Sequence, residues 1–303
     1  MYRLLASLKI RVAALAPLAT LGPGKEVVIE PKPAWRLLDV AELWHCRELV
    51  FFLVWRDLKV RYKQTLLGAA WAIIQPLLTT GVFAVLFGVL MGRGNEPTVP
   101  GVPYVLSTFC AMLPWQLFSR ALSQSGDSLI ANRALITQVY FPRLIIPLSA
   151  TLAALVDAAA ALSVMILMMS YYHVAPTWSF AALPLFALLA VATALGAGLW
   201  ISSLSAWYRD FKNIMPFVIR TGMLISPVAY TVSSLQVRLP EWAQWLYCLN
   251  PMVAVIEGFR WAVLGRSSIS LALIAPSVLI SLVMLLSGLT YFRRAERLVT
   301  DVI

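Results

Sequence analysis

The sequence predicts an all-α membrane protein with several spans, and three observations predict it. The 303 residues are 60% hydrophobic and only 13% charged, whereas a soluble domain is about a quarter charged. Several apolar runs reach the roughly 20 residues a helix needs to cross a hydrocarbon core about 30 Å thick. Those runs are continuous, unlike the ~10-residue alternating strands of a membrane barrel. The formal net charge of +10 would suggest nucleic acid in a soluble chain. Here the Lys and Arg residues cluster beside apolar segments, where they set topology and meet anionic lipid, so no nucleic-acid partner is expected.

The chain divides into a tail and linker (1–34), an in-plane basic segment (35–64) and a transmembrane domain (65–303). Arg3, Lys9 and Arg11 precede a short apolar run that imitates a signal peptide, but Pro17 interrupts it and no small-residue cleavage site follows. Pro23, Pro31 and Pro33 with Gly22 and Gly24 read as a linker. Asp39 and Glu42 have capping-box spacing. On a helical wheel Leu37, Val40, Ala41 and Trp44 share a face opposite Asp39, Glu42 and Cys46, as in a helix lying in the membrane plane. A cytosolic helix on a partner is the alternative, but Phe51, Phe52 and Trp55 favour headgroup depth.

The central stretch is Trp55 to Pro76, in which Arg56, Lys59, Arg61 and Lys63 abut a long apolar run. That pattern marks a membrane helix leaving the cytoplasm. Six spans are expected, at about 66–91, 104–122, 144–172, 183–206, 214–230 and 271–292. Arg133 and Arg143, Arg209 and Lys212, and the tail cations Arg293, Arg294 and Arg297 fall on one side, while the link after the third span has no Lys or Arg. Both termini are then cytoplasmic. The 231–268 segment runs against this bias with Arg238, Arg260 and Arg266, partly offset by Glu241 and Glu257. It is too aromatic for a solvated loop and reads as two short helices re-entering the outer leaflet.

The motif scan points away from an enzyme. No phosphate-binding loop surrounds Gly24-Lys25, neither HExxH nor GxSxG occurs, and His45 and His173 are predicted on opposite sides. The three cysteines, Cys46, Cys110 and Cys248, have no metal or disulfide spacing. Asp157 is read as the one acidic residue in mid-membrane, without a basic partner in the spans. A carboxylate there is a proton-relay candidate, set against a plain hydrogen bond to a neighbouring helix. Trp71, Trp115, Phe118, Trp200, Trp207 and Tyr208 suit interfacial belts or packing, and some are candidates for stacking on sugar rings. The 123–149 segment carries Leu129, Ile130, Leu135 and Ile136. A plain loop would leave these in water, so a short helix presented to a partner is expected.

Four stretches carry a family resemblance: WRDLKVRYKQTLLGAAWAIIQP, the loop ending VYFPRLIIPLS, YRDFKNIMPFVIR followed by SPVAY, and NPMVAVIEGFRW. With the tail YFRRAERLVTDVI they resemble the permease subunit of ABC-2-type polysaccharide exporters, over about residues 32–303. The resemblance implies export of lipid-linked O-antigen, capsule or teichoic acid across the bacterial inner membrane. It implies a homodimer with two copies of a separate ATPase, which would bind ATP and Mg2+; this chain needs no cofactor of its own. It implies an in-plane helix, a cytoplasmic coupling helix at about 127–140 and re-entrant gate helices before the last span. On that basis Asp127, Arg133, Tyr140, Phe141, Pro142, Arg143, Arg209 and Asp210 are expected at ATPase contacts, and Arg56, Lys59, Arg61 and Lys63 at lipid phosphate or, alternatively, as plain topology signals. Trp71, Trp115, Phe118 and Tyr230 are expected along the glycan path, and Trp242, Trp245, Tyr247, Asn250, Pro251, Glu257 and Arg260 at the outer gate. The rivals are a small-molecule ABC-2 exporter and a proton-coupled transporter using Asp157, although no inverted repeat is visible.

Overall fold

The computed structural model describes residues 40–63, 68–90, 92, 102–139, 141–208, 210–232, 234, 240–265 and 271–302, excluding the side chains of 40–42, 69, 271–273 and 297–302. The tail and linker, Asp39 and its cap, Tyr140, Arg209, Arg238 and Arg266 lie outside the described residues.

The helices are α1 (Val40–His45), α2 (Arg47–Tyr62), α3 (Trp71–Phe83, continued as a π-helix over Ala84–Leu90), α4 (Tyr104–Ala131) and α5 (Arg133–Gln138). They continue as α6 (Ile145–Tyr171), α7 (Leu183–Trp207, led in by a 3-10 turn Trp178–Ala182), α8 (Asp210–Ile225), α9 (Glu241–Cys248), α10 (Pro251–Leu264) and α11 (Leu271–Val302). Four stretches are long and apolar enough to cross a membrane: Trp71–Leu90, Ile145–Tyr171, Trp178–Trp207 and Ile274–Glu296. The expected second and fifth spans are helical as α4 and α8, but Gln116, Arg120, Gln124 and Asp127 make half of α4 polar, and α8 has only 16 residues.

Helix α4 is the axis of the fold. It packs against α3, α6, α7, α8 and α10, and most of its side chains from Tyr104 to Leu129 are buried. Close approach depends on small residues, as expected where apolar burial cannot drive helices together in lipid. A Cβ on Gly196 of α7 would lie 2.6 Å from backbone atoms of Met284 and Leu285 on α11. A Cβ on Gly198 would overlap the Ser125 side chain of α4.

A second apolar cluster closes one end of the bundle. Leu53 from α2, Leu129 from α4, Phe141, Ile145 and Ile146 before and in α6, Leu199 from α7, and Leu289 and Phe292 from α11 meet there. This corrects one expectation, the end of the second span at about residue 122. The 123–131 stretch is no loop, because α4 continues through it; Leu129 is buried, Leu135 and Ile136 pack partly on this cluster, and Ile130 is exposed. Leu43 and Cys46 pack partly on the same cluster, while Trp44 is exposed; the side chains of Leu37, Val40 and Ala41, which share its expected face, lie outside the described residues.

Candidate functional site

Two polar centres sit inside this apolar frame. The first forms where the last turn of α2 docks beside α6. Arg61 Nη1 pairs with Asp157 Oδ2, and the Tyr62 phenol donates to Oδ1 at 2.6 Å. From α4, Arg120 Nη1 lies 3.3 Å from the same Oδ2, while its Nη2 donates to Gln75 Oε1 of α3 at 2.8 Å. One carboxylate, 2% exposed at its side chain, thus ties α2 and α4 to α6, and Arg120 extends the tie to α3. Burial raises the Tyr62 phenol above its usual range, and its hydrogen bond to the Asp157 carboxylate adds to the shift. The phenol therefore keeps its proton and stays a donor. Asp157 does hydrogen-bond to neighbouring helices, as one of the two sequence readings expected, but with basic partners that the sequence reading did not place there. Arg120 lies inside the expected second span, and Arg61 arrives from a helix 96 positions away. A cleft between α3, α4 and α6 opens onto the pair, lined by Pro76, Gln116, Leu117, Arg120, Asp157 and Ala158.

A second tie joins α2 to the short helix α5. Arg56 donates to Asp57 Oδ1 at 2.7 Å and, through the same Nη2, to Asn132 Oδ1 at 2.6 Å. Asn132 is the residue between α4 and α5, and its amide donates back to Ser128 O at 2.9 Å. Of the four cations expected at lipid phosphate, Arg56 and Arg61 are therefore engaged inside the protein, and Lys59 and Lys63 are exposed.

The second centre organises α10. Asn250 caps it by accepting from Met252 N at 3.0 Å, Pro251 fills the first turn, and Gly265 ends it in the left-handed region at φ 70°. The helix is almost wholly buried, including Glu257 at 4% and Arg260 at 2% exposure. Arg260 Nη1 donates to Glu257 Oε1 at 2.8 Å and to Tyr230 O at 2.9 Å, and Nη2 donates to Val228 O at 3.0 Å. Glu257 Oε1 also accepts from Val232 N at 3.1 Å. The pair thus satisfies the backbone of the turn that follows α8. Tyr104 holds Ala229 O at 3.0 Å, Asn250 holds Ser226 Oγ at 3.0 Å, and Tyr247 reaches Tyr230 Oη at 3.1 Å. A buried pair stripped of such bonds would cost more than its attraction returns.

The expected site residues separate accordingly. Tyr230, Tyr247, Asn250, Glu257 and Arg260 come together around the 226–232 turn, while Trp242 and Trp245 are exposed on α9. Arg133 and Asp210 are exposed and Asp127 is half-buried. Phe141, expected at an ATPase contact, is buried in the second cluster, and Arg143 anchors to Glu296 of α11 through its backbone N–H at 3.2 Å and its guanidinium. Trp115 and Phe118, expected along a glycan path, lie in the main core with ring centroids 5.4 Å apart and planes tilted by 47°; Trp71 is exposed. Trp115 is turned inward by Gly222 of α8, which leaves room for its ring. The sequence reading missed Gln75, Arg120 and Asn132; the Gln116/Arg120 spacing of four inside an apolar run was the available signal.

Four helical stretches long and apolar enough to cross a membrane, tied by buried ion pairs, define a helical membrane protein. Residues 48–264 match the ABC-2 type transporter family, and the chain belongs to it. It is 29% identical to the O-antigen export system permease protein RfbA of Myxococcus xanthus, over 73% of this chain and 82% of that protein. A Klebsiella pneumoniae RfbA is 28% identical over 70% of this chain and 79% of its own length. The polysialic acid transport protein KpsM of Escherichia coli is 25% identical over 80% of this chain and 91% of its own length.

Proposed function

We propose that this chain is the membrane-spanning permease subunit of an ABC exporter that carries lipid-linked polysaccharide across the bacterial inner membrane. The observation that carries the reading is the likeness to O-antigen and polysialic acid exporters over at least 70% of the chain. In this reading α3, α4, α6, α7, α8 and α11 are the six spans, α2 lies at the membrane surface, and both termini are cytoplasmic. Helices α9 and α10 re-enter from the outer side. A separate ATPase binds ATP and Mg2+ and docks on α5, where Arg133 is exposed.

A second copy of the chain faces α3 and α8. Both present apolar side chains outward: Leu78, Val82 and Val89 on one, Phe217, Leu224 and Ile225 on the other. Separation of these faces opens a path between the copies. Movement of α5 reaches that face through Asn132–Arg56 on α2, then Arg61–Asp157–Arg120–Gln75 to α3, a rigid-body coupling.

The test is deletion of the gene in its host. Surface polysaccharide is lost and lipid-linked glycan accumulates on the inner side; both recover when the chain is returned with its ATPase. Normal surface glycan in the deletion strain, alongside new sensitivity to a small toxic compound, refutes the polysaccharide reading in favour of small-molecule export.

A further inference from the structure

Helix α8 carries an arginine that its own chain does not neutralise. Arg220 is exposed, and among the described residues no ion pair or hydrogen bond reaches it. Its direction follows from its neighbours. A Cβ on Gly222 would lie 3.0 Å from the Trp115 ring of α4, Met215 is buried, and Ile219 packs against the main core. Gly222 is two positions from Arg220, hence about 200° around the helix, so Arg220 points away from α4. Asn213, seven positions earlier and about 20° off the same line, is exposed as well. Phe217 and Leu224 are exposed beside that line. They belong to the face that meets a second copy in the permease reading.

Depth sets this cation apart. Ten residues, about 15 Å of helix, separate it from Asp210 at the start of α8. From the opposite side, Trp115 stands eleven residues, about 17 Å, inside the start of α4 at Tyr104. Both measures put Arg220 near the middle of a hydrocarbon core about 30 Å thick. Cations at that depth face water or an anion, not lipid; only those near helix ends reach the surface.

A second copy offers no counter-charge, because it brings the same acidic residues. Asp157 and Glu257 are buried and already paired. The other carboxylates with described side chains lie on α2 (Glu48, Asp57), at the ends of α4, α8 and α9 (Asp127, Asp210, Glu241) or at the end of the last apolar stretch (Glu296). Headgroup phosphates stay at the membrane surface, about 15 Å away. An anion that meets Arg220 therefore arrives on the cargo.

We propose that Arg220 lines a hydrated path between two copies of the chain and selects a polysaccharide with acidic repeat units, bearing carboxylate or phosphate ester groups along the polymer. Each copy contributes one guanidinium, which gives passing anionic sugars a charge-assisted contact and raises their local concentration in the path. This rests on the permease reading and names the chemical class of its cargo.

The experiment uses the full chain with its ATPase in nanodiscs, in a Cys46→Ser, Cys110→Ala, Cys248→Ala background. Phe217→Cys, one turn before Arg220, is labelled with an anionic and a cationic methanethiosulfonate of similar size; a thiol reacts where it can ionise in water. The position reacts, whereas Leu188→Cys, exposed on α7, does not. Adding Arg220→Gln lowers the anionic-to-cationic rate ratio about fivefold, the effect of one unit charge about 10 Å away in wet surroundings; Arg220→Lys keeps the ratio. An unreactive Phe217→Cys, or a ratio unmoved by Arg220→Gln, overturns the path-lining role. In the host, Arg220→Glu lowers surface glycan about tenfold, the loss of one charge-assisted contact, Arg220→Lys preserves it, and ATPase co-purification is unchanged in both. Hydrolysis of the glycan releases carboxylate-bearing sugars or phosphate, which tells the two anions apart; a neutral glycan overturns the selection. Full export by Arg220→Glu in a host whose deletion strain lacks the glycan refutes only this inference, and normal glycan in the deletion strain refutes the permease reading itself.

Discussion

Glu257→Gln gives the sharpest test of the outer network. The substitution preserves shape but leaves the Arg260 guanidinium, 2% exposed, without its counter-charge. Removing one partner of a buried pair costs about 3–5 kcal/mol, and each 1.4 kcal/mol is about tenfold in the folded population. Arg260→Met costs a similar amount, because Glu257 stays buried and the carbonyls of Val228 and Tyr230 lose their donor. The double variant Glu257→Gln, Arg260→Met removes the stranded charge and is less destabilised than the sum of the singles by about 2 kcal/mol. Denaturation by sodium dodecyl sulfate in mixed micelles reads these values, and accessibility of a cysteine placed at Thr231 reports whether the 226–232 turn has come loose. A loss below about 1 kcal/mol in Glu257→Gln, or strict additivity in the double variant, refutes the claim that this pair braces the turn.

Three further outcomes follow from the packing. Gly288→Ala places a methyl group against the Gly196 carbonyl and lowers unfolding stability by about 1–3 kcal/mol. Gly81→Ala, with open space at its Cβ, costs nothing or adds up to about 1 kcal/mol through helix propensity; equal effects in the same micelle titration would show that the α7–α11 crossing is not tight. Phe141→Ala empties part of the second cluster and costs about 3–5 kcal/mol, whereas Arg133→Ala leaves stability unchanged and weakens ATPase co-purification severalfold; the reverse pattern would move the docking surface from α5 to the Phe141 segment. Asn132→Ala breaks the link to Arg56, so ATP hydrolysis by the reconstituted complex persists while glycan export falls; parallel loss of both activities would refute a coupling role for the link.

The all-helical membrane class was legible in the sequence because hydrocarbon admits few solutions. Long apolar runs such as 145–171 and 183–207 have to satisfy their own backbone, and helix does so without partners. The α10 start was legible as well, since Asn250-Pro251 is local capping chemistry. The missed residues have a common cause. Arg120 was hidden inside an apolar run, and its value depends on Asp157 and Gln75, 37 and 45 positions away. Phe141 was expected at an ATPase contact because an aromatic side chain in a polar context carries no sign of which way it turns.

Composition and run length by themselves determined the membrane class, the element type and several helix starts, all properties of short stretches of chain, but not the ends of α4 and α11. The pairing of Arg61 with Asp157, of Glu257 with Arg260 and of Gly196 with Gly288 belonged to the tertiary structure alone. Such contacts depend on how separate helices cross, and the crossings are set by packing summed over the whole bundle, which no local pattern records.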